Sequence, residues 1–138
     1  MTLRCLIVDD SPQFLGAARD LLESQGIAVV GSASSSAEAL RCAAELGPDV
    51  TLVDIDLGSE SGLDLAQQLH RQPFPHPDHR RSAVILMSNR AEQDYAELIA
   101  ASPAIGFLSK IAISARAIHD LLGRQPNCGG GVSGSQGT

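Results

Sequence analysis

The chain has very little aromatic material: no Trp, one Tyr and three Phe in 138 residues. Its interior must therefore be assembled from Leu, Ile, Val and Ala. Basic runs are equally scarce. None exceeds two residues apart from the looser His79-Arg80-Arg81, and the net charge is −6. Nucleic-acid binders carry a basic face, so direct DNA or RNA binding is not expected. No stretch approaches the ~20 apolar residues that span a bilayer. The N-terminus lacks a signal peptide's charged region and cleavage site, and no membrane association is expected. The three cysteines, Cys5 in an apolar run, Cys42 in a helical pattern and Cys128 near the end, fit no metal-ligand spacing. They read as two packed thiols and one exposed thiol, in keeping with a reducing cytoplasm.

What is present suits one compact domain. Hydrophobic residues make up 43% and charged residues 19%, ordinary values for a chain able to bury roughly two-thirds of its unfolded surface. Short apolar runs alternate with amphipathic helical segments, the pattern of a parallel sheet covered on both faces. Strands are expected at 4–8, 27–30, 50–53, 83–87 and 105–108. Ser11-Pro12 opens a first helix with an inward stripe of Phe14, Leu15, Ala18, Leu21 and Leu22. Ser35 to Glu38 reads as a capping box for a second helix ending at Gly47-Pro48. A Gly/Ser loop, 58–62, feeds a third helix over 63–70. Three prolines make 71–81 a connecting loop. Further helices follow over 92–101 and 114–122. From Gly123 onward Gly, Ser, Gln and Asn dominate, which reads as a flexible tail or a linker.

Four strand ends carry the chemistry. Asp9 and Asp10 follow the first run, Asp54 the third, Ser88 the fourth, and Lys110 lies just beyond the fifth. In an open parallel sheet, ligands bind outside the carboxyl ends of the strands. Three carboxylates, a hydroxyl and an ammonium on one edge suit a divalent cation plus a phosphoryl group. Clustered carboxylates repel, and Mg²⁺ would neutralise them while keeping several waters. Asp54 could act as a nucleophile toward a phosphoryl donor.

The motifs LIVDDSP, LVDIDLGSESG, ILMS and GFLSK resemble the receiver (response-regulator, CheY-like) domain of bacterial two-component signalling, over about residues 3–122. The resemblance implies a flavodoxin-like, doubly wound α/β fold with a five-stranded parallel sheet in the order 2-1-3-4-5. It implies a receiver domain over 1–123 and a Gly/Ser-rich tail over 124–138. It assigns Asp54 as phospho-acceptor, and Ser88 and Lys110 as phosphoryl-binding groups. It assigns Asp10 and Asp54 as side-chain Mg²⁺ ligands, the Asp56 carbonyl as a further one, and Asp9 as acting mainly through water. Phe107 falls at the position of the family's aromatic switch residue, whose rotamer follows Ser88, with a plain core role as the alternative. A histidine kinase or phosphotransfer protein would be the donor. The signalling face would be the fourth helix, fifth strand and last helix, engaging a partner, an output domain or a second copy as a homodimer.

Three positions depart from the family pattern. Asn89 stands where a small residue is usual after the hydroxyl, and would crowd the site mouth together with Asp56 and Arg90. Ile111 stands where proline usually follows the lysine, often through a cis peptide, which would cost ~2.5–4 kcal/mol before a non-proline residue. Gly58 replaces a proline after the acceptor and should loosen that loop. A phosphatase or phosphotransferase of related fold is the alternative class, since Asp56 sits two residues after the nucleophile where such enzymes place a general acid. The segment His76-Pro77-Asp78-His79 reads as a Pro-rich loop with stray histidines rather than a metal site.

Overall fold

The structure, a computed structural model, describes residues 3–71, 83–89 and 96–124. Five strands, β1 (Arg4–Val8), β2 (Ala28–Ala33), β3 (Val50–Asp54), β4 (Ala83–Ser88) and β5 (Gly106–Ser109), form one sheet in the order β2-β1-β3-β4-β5. Every pairing in it is parallel. The helices are α1 (Pro12–Ser24), α2 (Ser36–Leu46), α3 (Gly62–Arg71), α4 (Ala96–Ala100) and α5 (Ala115–Arg124). The doubly wound sheet expected from the sequence is thus the observed one. The chain reverses direction across the sheet between β1 and β3, where such folds place their ligands.

Period-two alternation along the strands divides the core in two. Cys5, Ile7, Leu52, Ile85 and Met87 pack with Leu22 of α1 and Ile118 of α5. Leu6, Val8, Val53 and Leu86 pack on the other side with Ala39 of α2 and Leu65 and Ala66 of α3. Each fully buried Leu or Ile contributes ~1.5–3 kcal/mol. No aromatic residue is needed at either centre.

Helix starts follow the sequence closely. Ser11 is extended, and its Oγ accepts from Phe14 N at 3.3 Å, with Pro12 in the first turn. Ser35 Oγ likewise accepts from Glu38 N at 3.2 Å. The return half of the capping box differs. The Glu38 carboxylate accepts from the Ser34 backbone at 2.7 Å and from the Ser34 hydroxyl, one residue earlier than expected. These bonds hold the Glu38 pKa below its usual value. Of the α1 stripe, Ala18 and Leu22 are buried, Phe14 and Leu15 half-buried, and Leu21 is 41% exposed, because it lies off the face that Ala18 and Leu22 share.

Strand boundaries shift more. β2 runs to Ala33 rather than 30, because β1 continues to pair with it beyond a register shift at Cys5/Leu6. β5 is displaced one residue along, to Gly106–Ser109, by pairing with β4. Of the expected fourth helix, Ala96–Ala100 is described. The loop residues 72–82, with His76, His79, Arg80 and Arg81, lie outside the described residues. So do Arg90 and the tail with Cys128. No helix among the described residues is long and apolar enough to cross a membrane.

Candidate functional site

The parallel register brings the strand ends level: Val8 lies beside Val53, Asp54 beside Met87, and Ser88 beside Ser109. The residues expected at the sheet edge meet in one open cleft of about 420 Å³. Asp9, Asp10, Asp54, Ser88 and Lys110 line it, with Ser11, Asp56, Gly58 and Asn89 at its walls. Asn89 is exposed, and the cleft at its side remains open.

The three carboxylates are not equivalent. Asp9 and Asp54 are buried, at 0% and 3% exposed, whereas Asp10 is exposed. Two of the three clustered carboxylates are thus shielded from water, and the third faces it. Lys110 Nζ supplies a positive charge between them, 2.9 Å from Asp54 Oδ2 and 2.5 Å from Asp9 Oδ2. The Asp54 contact is a hydrogen bond. The Asp9 contact is a close ion pair with the buried carboxylate. Asp9 Oδ1 accepts from Ser11 N at 2.8 Å.

Burial is the largest influence on the Asp54 pKa and raises it. The hydrogen bonds from Lys110 and the Asp56 backbone pull it back, the Asp9 charge pushes it up, and the balance lies above the ordinary aspartate value. Burial alone would lower the Lys110 pKa, but its contacts with Asp9 and Asp54 outweigh this and raise it. The ammonium is charged at neutral pH.

One oxygen from each of Asp9, Asp10 and Asp54 can lie within 4.8 Å of the others. That hard-oxygen set, with two of its three carboxylates buried, fits a divalent cation of the Mg²⁺ or Ca²⁺ type.

The loop after Asp54 is more ordered than its glycine suggests. Asp56–Leu57 pairs antiparallel with Glu60–Ser61, forming a small hairpin. Gly58 turns it at φ +64°, a conformation that proline cannot adopt and most residues avoid. Asp56 N donates to Asp54 Oδ1 at 3.0 Å, and Leu57 is buried. The loosening expected from Gly58 is not what the hairpin shows. The Lys110–Ile111 peptide is trans, and Lys110 opens a single 3-10 turn that leaves Ile111 93% exposed.

Two residues of the site escaped sequence reasoning. Phe14, read as part of the α1 stripe, lies with its ring centroid 4.8 Å from Lys110 Nζ, within cation–π range. Its spacing from Asp10 was the available signal. Gly62 passes so near the Asp54 carbonyl that a Cβ would fall 1.9 Å from the oxygen. Phe107 lies beside Leu86 in β5, half-buried against the second core cluster with Ile99 and Ala104, and outside the cleft lining.

The response regulator GacA of Pseudomonas viridiflava is 34% identical over 109 residues, covering 78% of this chain and 48% of that protein. The chain thus spans about half the length of that relative. The signal receiver domain of the response regulator NarL from Mycobacterium tuberculosis superposes with TM-score 0.73 at 26% identity, over 89% of this chain and 98% of that one. A response regulator from Burkholderia pseudomallei, solved with a phosphorylated aspartic acid, calcium ion and citrate, gives TM-score 0.71 at 27% identity, over 86% and 66%. Residues 5–122 match the response regulator receiver domain family, and the chain belongs to it.

Proposed function

We propose that this receiver domain accepts a phosphoryl group on Asp54 from a histidine kinase or phosphotransfer protein. The observation that carries the reading is a buried Asp54, paired with Lys110 and clustered with Asp9 and Asp10 at the sheet's switch point. A carboxylate oxygen of Asp54 attacks phosphorus, an O–P bond forms, and the P–N bond to the donor histidine breaks with its electron pair leaving on the imidazole. Lys110 pairs with the phosphoryl oxygens, and Ser88 offers its hydroxyl to one of them. Mg²⁺ would be held by Asp10, Asp54 and the Asp56 carbonyl, with Asp9 acting through water, and would neutralise charge on acceptor and phosphoryl group. The phosphorylated aspartic acid and calcium ion of the Burkholderia relative support this assignment.

The new charge of about −2 draws Ser88 and Lys110 inward, and Phe107 follows. The face of α4, β5 and α5 then shifts its population between two packings and engages an output domain, another partner or a second copy. Relatives of which the matched region makes up only about half support an output beyond the receiver. The receiver spans 1–123, with 124–138 as a tail or linker. It acts in the cytoplasm, without contacting nucleic acid or membrane itself.

Labelling with a small phosphodonor tests the reading. Wild type gains one acyl phosphate per chain and stops, whereas Asp54→Asn gains none and stays folded. Stoichiometric labelling of the variant overturns the acceptor assignment. Continuous turnover of the donor, rather than accumulation, would favour a phosphatase using Asp54 and Asp56.

A further inference from the structure

We infer that Glu60 is a positioning residue for the metal end of the cleft, fastening the loop that carries Asp56 to the first turn of α2. This rests on the functional reading above. Glu60 Oε1 accepts from Ser36 N at 2.8 Å, across 24 residues of sequence. Ser36 is the first residue of α2, so its N–H has no partner within the helix, and the helix N-terminus favours a carboxylate there. Within the hairpin Glu60 pairs with Leu57, and Ser61 pairs with Asp56. Asp56 is thus held from two directions: its N–H on Asp54 Oδ1, and its hairpin partner strand on α2. That helix is itself fixed to the sheet through buried Ala39. The anchor compensates for the glycine at the turn, since the hairpin is tied at Glu60 instead of being stiffened at 58.

The contact can be cut from either side. Glu60→Ala removes the acceptor. Ser36→Pro removes the donor without breaking the helix, because proline suits the first helical position and Ser35 already has the extended conformation (φ −146°, ψ 164°) required before it. Calorimetric titration with Mg²⁺ alone should show affinity reduced about three- to ten-fold in both variants. Their metal-free melting temperatures should stay within about 2 °C of wild type. The double variant should be no weaker than either single one, and Glu60→Gln, which keeps an acceptor oxygen, should recover most of the affinity. Amide exchange at Ser36 should quicken in Glu60→Ala. Mg²⁺ affinity equal to wild type in Glu60→Ala, or additive losses in the double variant, overturns the role of Glu60. A wild-type chain that binds no Mg²⁺ instead overturns the metal reading on which that role depends, so the two failures are distinguishable.

Discussion

Asp54 meets opposed demands. A nucleophilic carboxylate must be ionised, yet the burial that shields it disfavours the charge. Because its folded pKa lies above the unfolded value, protonated Asp54 adds stability. That increment is full below the unfolded value and is lost as pH rises through the folded one. At neutral pH without metal, Asp54→Asn should therefore melt at or above wild type, and the two should converge as pH falls into the ordinary aspartate range. A variant melting clearly lower at neutral pH would contradict the crowded-acid account. Cys5 makes a second case. Burial pushes its thiol up to about 12, and the reactive thiolate is the minor form at any ordinary pH. Alkylation of the folded protein at mildly alkaline pH should spare Cys5 and reach it only after denaturation, as mass spectrometry of tryptic peptides would show. At the cleft mouth, Asn89→Ala tests whether the exposed amide slows small donors. A labelling rate equal to wild type would mean that this departure from the family pattern is silent.

Among the elements, the turn from β3 into α3 has the tightest steric demand. A Cβ at position 62 would lie 1.9 Å from the Asp54 carbonyl oxygen and 2.9 Å from Ile55 Cα, and both are backbone atoms that cannot rotate aside. Gly62→Ala must push α3 from the acceptor strand. Overpacking of this kind costs ~1–3 kcal/mol, and urea denaturation should show at least that loss together with slower labelling of Asp54. An unaltered midpoint would mean that the turn relaxes without strain. The same turn shows what a sequence can and cannot carry. Ser11-Pro12 and Ser35 mark helix starts because capping is local, decided by a side chain and an N–H three residues on. The strand-end residues of the cleft were legible because each apolar run ends in the group that matters. The length of β2 was not, since β1 decides it. Neither was the Glu60 anchor, whose partner lies 24 residues away. Burial of Asp9 against exposure of Asp10 was equally hidden: adjacent carboxylates look alike until a lysine just beyond β5 selects one of them.

Across the whole molecule, the acidic site exists only when β1 and β3 lie side by side. Asp9 and Asp10 follow one strand and Asp54 ends the other, so the unfolded chain does not hold the three oxygens together. A cation that binds this cluster binds the native state alone and stabilises it by RT ln(1 + [L]/Kd), ~2.7 kcal/mol at a hundredfold excess over Kd. For a chain of this size that corresponds to a rise of several degrees in melting temperature. Lys110 already neutralises part of the buried charge, and Mg²⁺ retains waters at such a site, so the affinity should be modest and the rise should come only at high concentration. Screening of the net charge of −6 would also raise stability, but any salt supplies that effect. Site binding is what remains after NaCl at matched ionic strength is subtracted. The remainder should saturate with Mg²⁺ in wild type and vanish in Asp10→Ala, whose lost carboxylate is exposed and leaves the Asp9–Lys110–Asp54 pairing in place. If Asp10→Ala keeps the full Mg²⁺-specific rise, the cation is binding elsewhere on the acidic surface, and the strand-end cluster is not its site.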